Sequence, residues 1–364
     1  MMERLLDPSV PPAHPSRPPG WEELVKPREL STGHADLLAE LKNRLRLAPM
    51  RPAPATGRGR PKSAAGNLGS LVFSRAAFGA TPADYQEFLD LGATDEERLE
   101  RWVDRQLEPE SITDGPFEVK LAEAGYETLD KNIFELWTDH MTEFEDFDLR
   151  FQPMWESINA VSLRALYSRR QLAEVLADFW HNHFNVYGFH TFVGPVFPSW
   201  DRDVIRAHML GNFREFLEAV TAAPTMAFYL DNIYNSADGP NENFARELLE
   251  LHAMGEENYF GAIPASDVPL NDDGVPSGYV DEDIRELARC LTGWSLDERT
   301  GEFLYRSYWH DTGPKTVLGI DLPANNPPLE DYRTVLDFLA VHSGTAGFIA
   351  AKLCRRLVAD TPPE

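Results

Sequence analysis

The sequence predicts a mainly α-helical, bundle-like globular domain with one short β-hairpin near residues 302–318. Three observations carry that expectation. From Leu71 onward the apolar residues recur at three- and four-residue spacing, the period of an amphipathic helix. Strand-like alternation is confined to Glu302-Phe-Leu-Tyr-Arg-Ser-Tyr-Trp309 and residues near Thr316–Leu318, which would pair with it. Helix punctuation is also frequent, with Thr81-Pro82 and Asn241 as starts and Gly255 as a stop.

Taken in order, the first helix with a clear start is Ala83–Asp90, behind the Thr81 cap. Asp95-Glu96-Glu97 then leads into Leu99, Trp102, Val103 and Leu107. Residues 130–146 carry Ile133, Phe134, Trp137, Met141 and Phe144 at helical spacing and end in an acidic–aromatic patch. Ile158 to Tyr187 reads as one long helix or two abutting ones. Helices follow over Asp203–Thr221, Asn241–Met254, 281–293, 329–341 and 345–358, whereas the Pro- and Asp-rich stretch Gly261–Gly278 reads as a loop.

The chain has 364 residues and a formal charge of −25, and that charge is unevenly placed. Residues 1–66 hold 11 Lys+Arg, 7 Asp+Glu and 11 of the 28 prolines, so they are basic and poor in backbone donors. They are expected to form a Pro-rich, mostly disordered arm, interrupted by a short helix over Ala35–Leu47. Residues 67–364 are expected to form a single helical domain of strongly acidic character. Such a body lacks the clustered Lys and Arg that phosphate neutralisation needs, which argues against nucleic-acid binding. It equally lacks a polybasic face for anionic lipid and a run of roughly 20 apolar residues for a membrane span. The Met-Met-Glu-Arg start carries no secretory signal, so a cytoplasmic location is expected. Cys290 and Cys354 are too few for a disulfide framework or a zinc cluster, and both fall in apolar helical patterns.

Four clusters could carry chemistry, the least specific being Leu210–Leu217 continuing to Asp231-Asn232, which could bring polar groups beside Asn243 and Glu247 while Arg214 and Glu215 read as structural ion pairs. In Asn241–Gly255, Phe244, Leu248 and Leu251 form an apolar stripe, while Asn243, Glu247 and Glu250 form a polar one with Arg246 beside it. Facing water, the polar stripe is ordinary decoration. Facing other helices, its carboxylates need a metal or a buried Arg partner. In Phe179-Trp-His-Asn-His-Phe184 the two histidines diverge by about 200° on a helix, which puts His183 on the apolar face and His181 over Asp178 on the polar side. The third cluster, His310-Asp311 with Lys315 around a Gly-Pro bend, is either an acid–base loop or a tight hairpin turn.

Five motifs occur together in order: Arg75-Ala-Ala-Phe-Gly-Ala-Thr-Pro82, Phe179–Phe184, Asn241–Leu251, Ala288-Arg-Cys-Leu-Thr-Gly-Trp294 and His310-Asp-Thr-Gly-Pro-Lys-Thr316. With Lys352-Leu-Cys-Arg-Arg-Leu357, they make the chain from about Leu71 onward resemble the bacterial domain-of-unknown-function 1800 family. That resemblance implies a largely helical and often exported protein. It also implies a partner protein similar to alkaline phosphatases and sulfatases, whose genes often lie beside those of the family. Two departures stand out, the missing export signal and an acidic insertion around Ile263–Gly278. Because the family pattern continues past the Arg355-Arg356 helix, the domain is expected to be C-terminally incomplete, with apolar surface exposed over Phe348–Val358.

These readings converge on a metal-assisted hydrolase of envelope or extracellular substrates. A divalent metal would be held by His183, Glu247 and Glu250. Glu247 and Glu250 would serve as ligands or general base and His183 and His310 as ligand or acid, with Asp311 orienting His310 and Lys315 or Arg246 stabilising negative charge. The alternative is a non-catalytic scaffold or secretion and assembly partner, in which the same residues form a structural buried network. Calcium binding by residues 143–148 or 267–273 is disfavoured, since neither has EF-hand spacing.

Overall fold

The computed structural model describes residues 68–142 and 145–361. The N-terminal arm, its expected helix over Ala35–Leu47, and Glu143 and Phe144 of the acidic–aromatic patch lie outside the described residues. Four helices open the domain: α1 (Leu68–Ala76), α2 (Pro82–Asp90), α3 (Asp95–Leu107) and α4 (Gly115–Ala124). Thr81 and Thr94 start α2 and α3 through reciprocal capping boxes with Asp84 and Glu97, each satisfying two otherwise orphaned backbone donors.

The long central pattern resolves into two helices, α6 (Phe147–Tyr167) and α7 (Gln171–His183), after the short α5 (Ile133–Leu136). They part at Ser168-Arg169-Arg170 because buried Asp114 captures that corner, accepting from Ser168 Oγ at 2.7 Å and from the Arg169 amide at 2.6 Å. Next come α8 (Phe197–Ser199), α9 (Phe213–Ala222), α10 (Pro224–Tyr229), α11 (Glu242–Glu247) and α12 (Asp281–Cys290). The last two helices are α13 (Glu330–Val341) and α14 (Ser343–Leu357). Asn212 and Asn241 cap α9 and α11, so the expected helix over Asp203–Thr221 is interrupted ahead of Phe213.

Three of these helices contain a wide, π-type turn: Trp137–Met141 after α5, Trp200–Arg206 after α8 and Leu248–Ala253 after α11. The i→i+5 hydrogen bonding of such a turn accommodates one extra residue and shifts which side chains face the core. Leu251 shows the result. Although α-helical spacing from Phe244 and Leu248 places it inward, it is 48% exposed, and Leu249, His252 and Ala253 are buried instead.

The β structure is two hairpins rather than one. Strand β1 (Trp294–Leu296) pairs antiparallel with β2 (Phe303–Tyr305), with Trp294 opposite Tyr305. Strand β3 (Lys315–Val317) pairs with β4 (Ile320–Leu322). The 302–309 segment therefore turns back to residues before it, not forward to Thr316. Leu318 and Gly319 link β3 to β4 with both φ values positive, the geometry of a type I′ turn. The αL backbone of Leu318 is held by a 2.6 Å bond from its amide to the buried Asp283 carboxylate.

The main core runs through α1, α7, α9, α11, α12 and α13, with Trp180, Phe184, Phe216, Phe244, Leu287 and Tyr332 among its buried members. A smaller core around Leu136, Trp137, Phe228 and Leu296 sits under the first hairpin. Helix α14 is covered only in part. Only Thr345 is buried on it; Phe348, Ile349 and Leu353 are half-buried, and Val358 is 58% exposed just beyond its end. No single described helix is long and apolar enough to cross a membrane, although the bent pair α13–α14 meets that length and composition jointly.

Candidate functional site: a polar cleft at the end of helix α7

The C-terminal end of α7, the wide turn after α11 and the middle of α14 enclose a cleft of about 560 Å³. Its lining includes His183, Asn182, Asn185, Glu247, His252 and Lys352. Two residues singled out from sequence, His183 and Glu247, therefore meet there. His183 is buried with both ring nitrogens engaged. The Lys352 ammonium lies 2.8 Å from Nδ1, and the carbonyl of His252 lies 3.0 Å from Nε2. Since an ammonium has only donors and a carbonyl only acceptors, Nδ1 accepts and Nε2–H donates, which fixes the neutral tautomer. Burial, then the Lys352 charge and His252, push the His183 pKa well below the ordinary imidazole value.

Lys352 has no carboxylate within ion-pair distance among the described residues, and burial lowers its pKa. Its ammonium sits 4.8 Å from the centroid of the Phe348 ring, which supplies part of the missing compensation. Glu247 is likewise without an ion-pair partner. Burial, and then the charge of Glu250 one turn on, raise its pKa, opposed only by Arg246. His252 is buried with Nδ1 unpartnered among the described residues, and burial together with Lys352 pushes it down to about 3.

The remaining expected site residues are placed elsewhere. Glu250 lies outside the lining of the cleft, and Arg246 reaches toward Glu242 and Asp281, at 3.7 and 3.9 Å. His310, Asp311 and Lys315 belong to a separate buried network. The Lys315 side chain is 0% exposed and its three donor positions meet three acceptors: the Asp311 carbonyl, the Gly313 carbonyl at 3.0 Å and Asp331 at 2.7 Å. Asp331 also faces His310 Nε2 at 3.1 Å and accepts from Asn326 at 2.6 Å. Burial opposes its ionisation, but the Lys315 and Asn326 hydrogen bonds hold its pKa below the usual carboxylate value. Asp311 does not orient His310. It accepts a two-point contact from Arg289, at 2.7 and 3.2 Å, while the backbone carbonyl of Thr292 meets His310 Nδ1.

As metal ligands the expected set does not come together. Both His183 nitrogens are committed to protein partners, and among the described residues no group of three or more His, Cys, Asp and Glu is arranged to hold a metal ion. The side chains that do meet in the cleft are a carboxylate, an ammonium and two imidazoles.

Sequence reasoning passed over His252, Lys352 and a second cluster around the end of α7. His252 was hidden by the wide turn, which breaks the periodicity used to find inward residues. Lys352 stood in a recognised motif but in an apolar helix without polar neighbours to mark it. His181, expected on a polar outer face, is instead largely buried against Asp201, at 2.9 Å.

The fold and the site define a mainly helical protein with a polar cleft at the end of one central helix. Residues 71–364 match the family described as Protein of unknown function (DUF1800), and the chain belongs to it. No curated protein and no solved structure matches the chain significantly.

Proposed function

We propose that this protein is a hydrolase acting on a small anionic ester in the cleft between α7, α11 and α14. The observation that supports this reading is that Glu247 and Lys352 line one cleft, each partly desolvated and each without an ion-pair partner among the described residues. An unpaired charge in such a place is costly to keep and is common where a ligand supplies its complement. In this mechanism Lys352, steadied by His183, takes the anionic group of the substrate. Glu247, whose raised pKa keeps it protonated further toward neutrality, donates its proton to the leaving oxygen and then accepts one from the attacking water. The neutral imidazoles of His183 and His252 wall the cleft without adding charge.

The probes are 4-nitrophenyl phosphate and 4-nitrophenyl sulfate. Turnover of at least one is expected, with kcat/KM falling at least about 100-fold in Glu247→Gln at an unchanged unfolding midpoint. Lys352→Met is expected to raise KM more than it lowers kcat. Turnover of neither probe, or full activity in Glu247→Gln, would overturn the proposal. The saturated Lys315–Asp331–His310 network favours a second, structural role for its own motif: it locks the second hairpin to α13.

A further inference from the structure

A second cleft of about 390 Å³ adjoins the Glu247 cleft around the end of α7, sharing Asn182 and Asn185 with it. Met154, Ile158, Val161 and Phe197 form an apolar wall, and the polar side carries Asp178, His181, Asn185 and Arg206. His181 lies flat against the Phe197 ring, 5.7 Å between centroids and 12° apart in plane. Its Nε2 donates to Asp201 Oδ1 at 2.9 Å, which leaves the Nδ1 lone pair without a partner among the described residues.

The support behind His181 is extensive. Arg206 donates through Nε to the other Asp201 oxygen at 2.8 Å and clasps buried Glu174 with its two terminal nitrogens, at 3.1 and 2.9 Å. Asp201 and Arg206 are five residues apart, a spacing that an α-helix would spread around its axis and that the i→i+5 geometry of the Trp200–Arg206 turn stacks. Burial opposes ionisation of Asp201, yet Arg206 and then the His181 hydrogen bond hold its pKa far below the usual carboxylate value. The Asn185 carboxamide also lines the cleft and has no hydrogen-bond partner among the described residues.

We propose that this cleft is a second active site, one that hydrolyses neutral esters of apolar acyl groups, with His181 as its general base. His181 Nδ1 removes a proton from water as the water oxygen adds to the ester carbonyl carbon. The Asn185 amide stabilises the oxygen that becomes negative. Collapse of the adduct breaks the bond to the alkoxide, which takes its proton back from Nδ1, so ester and water give acid and alcohol. Asp201 stays a carboxylate throughout and acts as a positioning residue that fixes the imidazole tautomer. The apolar wall receives the acyl chain.

The probe is 4-nitrophenyl butyrate, which carries no charge for Lys352 to recognise, so its outcome is independent of the anionic-ester test. The intact chain is expected to hydrolyse it, and His181→Ala to lose at least about 100-fold in kcat/KM. Added imidazole, corrected for its own reaction, is expected to restore part of that loss, which a purely structural role for His181 would not allow. Asp201→Asn is expected to lower kcat with KM unchanged. Absence of butyrate hydrolysis, full activity in His181→Ala, or a loss that imidazole does not restore would each overturn the proposal.

Discussion

The network around Lys315 and the cleft around Lys352 are built from the same residue types and end in opposite states. In the network an ammonium, an imidazole and a carboxylate are buried together, and the Lys315 donors are all matched by acceptors. In the cleft the ammonium meets a neutral imidazole, and among the described residues the carboxylate has no cation within ion-pair distance and Nδ1 of His252 has no partner. Satisfied buried charge specifies a structure, whereas unsatisfied charge beside an opening is available to a ligand. The difference lies in partners, since burial alone is greater in the network.

The largest expected effect separates the two regions by stability. Lys315→Met leaves Asp331 buried with part of its compensation gone, and a loss of about 3–5 kcal/mol in urea unfolding is expected. The equivalent Lys352→Met change removes no ion pair and should cost far less. Near-equal losses for the two variants would erase the contrast.

A smaller effect comes from pH. His252 is pushed to about 3 in the folded chain, whereas an unfolded histidine titrates near 6.5. The unfolded state therefore binds the proton first as pH falls. Stability contributed by the neutral ring is intact above about 6.5 and declines from there down toward about 3. Between pH 7 and pH 5 this amounts to about 2 kcal/mol. Asp331, with a lowered pKa, gives a later loss of the same sign, below the ordinary carboxylate range. His252→Gln should flatten the decline between pH 7 and 5, read from unfolding curves across that range. A variant that declines as steeply as the parent would place the acid sensitivity elsewhere.

The helical class was legible because capping and periodicity act locally. Thr81, Asn241 and Gly255 do in the structure what their residue types demand, and His183 is inward as its stripe implied. The lining of the candidate cleft was half legible for the same reason: His183 and Glu247 each stood out on one helix. His310, Asp311 and Lys315 sit near one another in sequence, but their partners Arg289, Asn326 and Asp331 come from elsewhere, and no local pattern distinguishes a saturated network from an open site. Asp201 and Arg206 were invisible because five-residue spacing carries no meaning in an α-helix. Pairing of the 302–309 strand was misassigned since alternation marks a strand without naming its neighbour.

The three wide turns have a consequence for how the chain tolerates change in length. Each closes the C-terminal end of its helix and hands the chain to a loop, so removing one residue there leaves the preceding helix in phase and lets the loop absorb the change. Deletion of Leu251 should leave a folded protein, by circular dichroism and a cooperative melt, while His252 takes over the outward position. A deletion in the regular part of α7 would rotate everything beyond it by about 100° and unseat the core. Length variation along this architecture is expected to collect at Trp137–Met141, Trp200–Arg206 and Leu248–Ala253, where a single codon can redirect a polar side chain without dismantling the helix that carries it.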